Sequence, residues 1–191
     1  MTARSGPKFT GVETIIDVHG RFRYRVPSDW HRFEVEGQTD SLLFSPHAVD
    51  TSTYIASWVT KLEFQAGADD LELLASALNE GLGQLPELTI EAEANDCYQN
   101  LIKLDRTFTF RENGELRRRH AWYIYVADWQ IVLVYQGSSP EEYDYWLPMG
   151  NTPFMHFNLA DVLWFASDRD LFKPGDQPAP KALRGTRAPE A

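Results

Sequence analysis

The stretch from Tyr98 to Gly137 constrains the fold more than any other part of the chain. It reads as three consecutive strands folded back and forth by two tight turns. Glu112-Asn113-Gly114-Glu115 is a hairpin signal, because Asn and Gly tolerate the positive φ that a type I′ turn needs. Asp128-Trp129 reads as the second turn. Two-residue turns then set the register. Phe108 lies opposite Arg119, and Phe110 opposite Arg117. In the second hairpin Trp122 faces Tyr135, Ile124 faces Leu133, and Val126 faces Ile131. Those six share one side of the sheet, and Tyr123, Tyr125, Val132 and Val134 share the other. Both sides are apolar and both need cover, which predicts helices on two faces. Arg117, Arg118, Arg119 and His120 are polar on both sides. They read as a hairpin tip projecting into water, with anion binding as the alternative.

Upstream, residues 1–8 are polar and read as disordered. Glu13 to Val18 reads as a short strand. Arg21 to Val26 alternates strictly, the period of a half-buried strand. Its Arg face reads as solvated, with a specific anion site as the alternative. Phe33 to Val35 and Ser41 to Ser45 look like a meander, and Thr53 to Phe64 a long buried strand. Asp69 and Glu72 stand three apart like a capping box. Leu71, Leu74, Ala75, Leu78 and Leu82 follow at helical spacing, and Gly81, Gly83 and Pro86 stop that helix. Leu88 to Glu93 alternates as a strand.

Downstream, Ser139-Pro140-Glu141-Glu142 opens a helix, with Ser139 as cap and Glu142 as its box partner. Pro148 and Gly150 are expected to cut it short. Thr152-Pro153 is expected to open a third helix reaching about Ser167. That helix is apolar nearly all round, so it is either buried on most sides or covered by a partner, a homodimer face included. Residues 173–191 read as a flexible tail. A single domain therefore spans 9–172.

The formal charge of −10 argues against nucleic acid and anionic membranes as partners and allows a basic one. No run approaches the roughly 18 apolar residues of a spanning helix, so no direct membrane insertion is expected. Nor does the N-terminus show a signal peptide, and a cytoplasmic location follows as the expectation. Cys97 is the only cysteine, which excludes a disulfide within one chain and a cysteine-based metal cluster.

Motifs for chemistry are sparse. GxGxxG, P-loop, HExxH, CxxC and GxSxG patterns are absent from the sequence. Asp17 and His19 lie two apart on one strand face, a weak metal signal beside a turn-associated surface pair. His156 and Asp161, on a common helix, would sit about 140° apart and share no ligand face. Cys97 has no activating cation nearby in sequence. No catalytic residue, metal or cofactor is expected, and the chain does not read as an enzyme.

Tyr24 to Trp30 (YRVPSDW), the helix LELLASALNEGLGQLPEL with the acidic strand TIEAE, and the hairpin ending WYIYVADWQIVLVYQG together resemble the PsbP-like α/β/α sandwich family. The resemblance covers roughly Gly20 to Ser167. It implies an α+β fold in which a central antiparallel sheet of about six strands carries helices on both faces. The family includes a photosystem II extrinsic subunit, a Ran-binding protein, bacterial lipoproteins, and cytosolic chaperones that shield transmembrane helices of type VI secretion effectors. Nearly all act by binding, and the chaperone branch is closest in character. Against the family pattern, this chain inserts an aromatic segment at 143–158.

The resulting expectation is a non-catalytic polypeptide-binding chaperone or adaptor that shields an apolar segment, such as an apolar helix, of its partner. Tyr143, Tyr145, Trp146, Phe154, Phe157 and Trp164 are the expected partner-binding residues, aromatic types that anchor interfaces. A small-ligand or anion-binding module, using Arg117, Arg118, Arg119 and His120, is the alternative. An assembly subunit of a larger complex is a further one.

Overall fold

The computed structural model describes residues 5–35, 40–99 and 101–165. The elements run β1 (Val12–Ile16), β2 (Phe22–Pro27), β3 (His31–Phe33), β4 (Ser41–Ser45), β5 (Tyr54–Lys61), α1 (Leu71–Leu82), β6 (Thr89–Tyr98), β7 (Leu101–Glu112), β8 (Glu115–Val126), β9 (Trp129–Gly137), α2 (Pro140–Gly150), α3 (Thr152–Met155), β10 (Asn158–Leu159) and α4 (Asp161–Phe165). Seven strands form the main antiparallel sheet in the order β3-β4-β5-β9-β8-β7-β6. A second sheet, β1-β2-β10, has three. The fold is α+β, with a central antiparallel sheet covered on both faces. Among the described residues no helix is long and apolar enough to cross a membrane.

The β7–β8 hairpin turns at Asn113 and Gly114, with φ of 53° and 83°, and pairs Phe108 with Arg119 and Phe110 with Arg117 as expected. The second turn differs. It falls on Ala127 and Asp128, with Ala127 at φ 51°, so Trp122 faces Leu133, Ile124 faces Ile131 and Val126 faces Trp129. Tertiary contacts explain the change. The carbonyls of Ala127 and Asp128 accept from the amides of Ala66 and Leu62, at 2.8 and 2.7 Å. Trp129 stays in the strand, its ring flanked by Arg21 and Lys61. A two-residue slip changes partners but keeps every side chain on its face, so the assignment of residues to the two sides survives.

The two sides are covered differently. Ile102, Leu104, Phe108, Phe110, Tyr125, Val132 and Val134 lie under α1, which contributes Leu74, Ala75 and Leu82. Ile55, Ile124, Val126, Ile131, Leu133 and Tyr135 pack against the small sheet's Phe22, Tyr24 and Val26, with Tyr143, Met149 and Phe154 beside them. One layer is therefore a helix, and the other is helices plus a second sheet. Fully burying a Phe, Leu or Ile side chain is worth roughly 1.5–3 kcal/mol, so both layers hold the sheet.

Local corrections have local causes. The expected box of Asp69 with Glu72 does not form: Asp70 accepts the Gly67 amide at 2.8 Å and closes a 3-10 turn, Ala68–Asp70, that leads into α1. Ser139 does cap α2, accepting from Glu142 N at 3.2 Å, but the Glu142 carboxylate takes Trp146 Nε1. Pro148 sits inside α2 and does not end it. The expected 152–167 helix is broken into α3, β10 and α4. Asn158 and Leu159 pair with Arg23 and Phe22, which satisfies backbone groups of β2 that a continuous helix would leave open. The part of that helix beyond 165, and the 173–191 tail, fall outside the described residues.

Candidate functional site: the face built by β1, β2, β10 and α4

Two close approaches fix the segment that follows β9. A β-carbon at Gly137 would lie 2.5 Å from Tyr143 Cα, and one at Gly150 would lie 2.5 Å from the Tyr135 ring. Tyr135 is thus clamped between both ends of α2, and its hydroxyl donates to the Tyr143 carbonyl at 2.6 Å. Burial raises the Tyr143 phenol to about 12, so it stays neutral.

This docking decides where the six aromatics go. Tyr143 and Phe154 are buried. Phe154 stacks on His120 at 4.1 Å and meets Trp122 edge-on at 5.1 Å. Phe157 is half-buried, stacked on Phe22 at 5.5 Å. Trp146 packs edge-on against Trp30 at 5.8 Å, and Tyr145 against Trp146 at 5.0 Å. Trp164 alone among the six is 47% exposed. The structure brings Phe154 and Phe157 together through Trp122 and sets Tyr145 and Trp146 on another flank.

The four polar residues of the hairpin are half-buried and do not form a solvated tip. Arg117 donates to the Ser138 carbonyl and pairs with Glu112. Arg118 bridges Glu91 and Asp144 at 2.8 and 2.6 Å and lies over the Tyr143 ring. Arg119 donates to Gln136 and to the Tyr54 hydroxyl, above Phe110. His120 Nε2 donates to Asp105 Oδ1 at 2.9 Å, and Trp122 Nε1 to Asp105 Oδ2 at 2.7 Å. Burial pushes the Asp105 carboxyl up, but His120, Trp122 and Lys103 outweigh it and hold the group below its ordinary value. Each member of the row is already occupied by protein groups. The Asp105–His120 bond orients the imidazole ring that stacks on Phe154.

Asp17 is not a surface residue either. It accepts the Arg21 side chain at 2.8 Å and the backbone amides of His19 and Arg21, closing the β1–β2 turn. Burial raises its carboxyl, yet these bonds hold it low. Among the described residues no group of three His, Cys, Asp or Glu could hold a metal. Cys97 is exposed and bonds the Gln99 carbonyl.

Among the described residues, the outer flank of the small sheet is left open. Ile16, Gly20, Phe22, Arg23, Asn158, Leu159, Ala160 and Asp161 line a groove of about 270 Å³. The backbone ties its walls together, since Ala160 N donates to the Arg21 carbonyl at 2.8 Å. Ile16 is 53% exposed on one wall, and Val162 and Trp164 are each 47% exposed on the helix that continues the other. Ile16 was within reach of sequence reasoning, since Ile15 and Ile16 are consecutive in β1 and alternation sends them to opposite faces. The groove itself was not, because it depends on β10 pairing with β2.

The chain matches no protein-family model and no curated protein. Its fold is PsbP-like. CyanoP, the cyanobacterial PsbP of Synechocystis sp. PCC 6803, is similar with a TM-score of 0.55 at 9% identity, over 84% of this chain and 99% of that one. LpqN of Mycobacterium tuberculosis is similar with a TM-score of 0.57 at 15% identity, over 78% and 91%. The Ran-binding protein Mog1p of Saccharomyces cerevisiae follows with 0.51 at 11% identity, over 80% and 97%. Identities this low speak to fold alone.

Proposed function

We propose that the chain is a non-catalytic polypeptide-binding protein, a chaperone or adaptor that shields an apolar segment of its partner in the β1–β2–β10–α4 groove. One observation carries the reading: Ile16 remains exposed on the wall of a groove whose floor residues, Phe22 and Leu159, belong to the core, and Val162 and Trp164 are exposed on the short helix that begins at its Asp161. Large apolar side chains grouped at a concavity mark interaction sites more often than scattered ones do. Trp164 would anchor the partner, and the backbone edge of β2 beyond the two-residue β10 offers further hydrogen bonds to an extended segment.

A cytoplasmic location, and kinship in role with the type VI effector chaperones, form part of this proposal. Mog1p is a Ran-binding protein and LpqN is involved in cell envelope biogenesis, so the fold has been put to different uses. The groove, not the fold, supports binding here.

The test is affinity purification of the tagged protein from its native cell, comparing wild type with Trp164→Ala/Val162→Ser. A stoichiometric protein with apolar segments that copurifies with wild type and drops at least about tenfold with the variant supports the reading. An unchanged melting curve shows that the variant is folded. Equal recovery with both, or a partner-free wild type, refutes it. A second copy of this chain as the sole companion replaces the chaperone reading by a homodimer.

A further inference from the structure

The outer face of the small sheet is basic. Ile16 stands opposite Arg23 and Thr14 opposite Arg25, while Asn158 flanks Arg23 from the other side. Residues directly opposite share a face. The inner face of β2 carries the buried Phe22, Tyr24 and Val26, so Arg23 and Arg25 point outward, and both are exposed. Thr14, Arg23, Tyr24, Arg25, His156 and Asn158 line a hollow of about 200 Å³.

Neither arginine has an ion-pair partner among the described residues. Arg21, Arg106, Arg111, Arg117 and Arg118 each pair with a carboxylate. In a chain of net charge −10 carboxylates are plentiful, so two adjacent guanidiniums left without one form a local field of the opposite sign. Their α-carbons are about 7 Å apart along the strand. Each fork can hold a carboxylate by two parallel N–H···O bonds, and the Asn158 amide and Thr14 hydroxyl add donors.

The hollow and the groove share Arg23 and Asn158, so the basic end runs directly into the wall that carries the exposed Ile16. Asp161 lies on the groove's far wall. We infer that this face takes an acidic polypeptide segment, whose carboxylates sit on Arg23 and Arg25 while an apolar side chain lies in the groove against the exposed Ile16. The inference rests on the polypeptide-binding reading and adds the chemistry of the partner. A free anion would make no use of the exposed Ile16 beside the arginines. A nucleic acid or anionic bilayer carries charge well beyond the two arginines and would meet the acidic remainder of the molecule, whereas a short acidic segment can be confined to the local basic patch.

The experiment uses fluorescence anisotropy with two labelled probes: a short peptide of alternating Glu and Leu, and the same peptide with every Leu replaced by Ser. The protein is tested as wild type, Arg23→Gln/Arg25→Gln, Arg23→Lys/Arg25→Lys, Ile16→Ser/Val162→Ser, and Arg111→Gln as a control remote from the face. Wild type is expected to bind both probes, the Glu–Leu peptide more tightly, and to weaken as salt rises. The Gln pair should weaken both probes by at least about tenfold, the Lys pair by less, and Arg111→Gln not at all. Unchanged binding by the Gln pair, or no binding of either probe by wild type, overturns the inference. Arginine-dependent binding of anionic vesicles or of an oligonucleotide in place of the peptides overturns it too. The Ile16/Val162 variant separates the two readings. If it leaves the Glu–Leu advantage intact while the Gln pair abolishes binding, apolar capture fails and acidic recognition stands. If it removes that advantage while the Gln pair has no effect, the reverse holds.

Discussion

Two rows of cations occupy this chain, and they have opposite fates. Arg117, Arg118, Arg119 and His120 on β8 are half-buried, and each holds a protein partner. Arg23 and Arg25 on β2 are exposed and face a hollow. In sequence both rows look alike, as cations on strands with a solvated face. The difference lies in what stands over them. β8 is an interior strand between β7 and β9, with α2 packed across it, so Glu91, Asp105, Gln136 and Asp144 come within reach. Among the described residues no element packs on the outer face of β2. Strand alternation reports that a residue points away from one layer of the core. It does not report whether another layer lies on the opposite side.

Removing members of the hairpin row should therefore cost stability, in proportion to how enclosed each one is. Arg119→Ala is expected to cost the most, about 2 kcal/mol, because it leaves buried Gln136 and the Tyr54 hydroxyl without their donor. Urea unfolding at neutral pH measures it, and a loss below about 0.5 kcal/mol would erase the contrast with β2.

Asp105→Asn is expected to cost about 1–2 kcal/mol at neutral pH, since the His120 and Trp122 donors lose a charged acceptor. The sign of the pH dependence follows from the lowered carboxyl. A carboxyl with a depressed folded-state value contributes its full stabilisation above its unfolded value of 3.8 and loses it as pH falls through the lower, folded value. The cost of the substitution should therefore shrink in acid. A cost that stays constant from neutral pH into strong acid would show that the Asp105 charge is not what holds the ring. Arg118→Ala should cost least, under about 1 kcal/mol, because its two ion pairs are partly solvated and screened. Thermal melts at low and high salt would show that small loss shrinking further as salt rises.

Much of the scaffold was legible in the chain. Asn113-Gly114 announced its hairpin, because few residue pairs accept two consecutive positive φ values. The leucine spacing of α1 and the alternation of β2 translated directly into buried faces. The Ala127-Asp128 turn did not, because the choice between it and Asp128-Trp129 was made by Leu62, Ala66, Arg21 and Lys61, all remote in sequence. The apolar run from Phe154 to Phe165 was legible as buried material but not as a broken helix, since only the open edge of β2 makes Asn158-Leu159 a strand. Of the aromatics proposed for partner binding, the sequence could not separate core from surface. Phe154 and Trp164 are alike in chemistry, and only packing puts one against His120 and leaves the other 47% exposed.

By itself the sequence determined the Asn113-Gly114 turn, the α1 helix and the two-sided apolar character of the central strands, because turn chemistry and periodicity act over a few residues. Only the tertiary structure decided which face went uncovered. That depends on β10 closing one side of β2 while, among the described residues, no element packs across Arg23 and Arg25, and contacts between residues far apart in the chain leave no periodic trace within it.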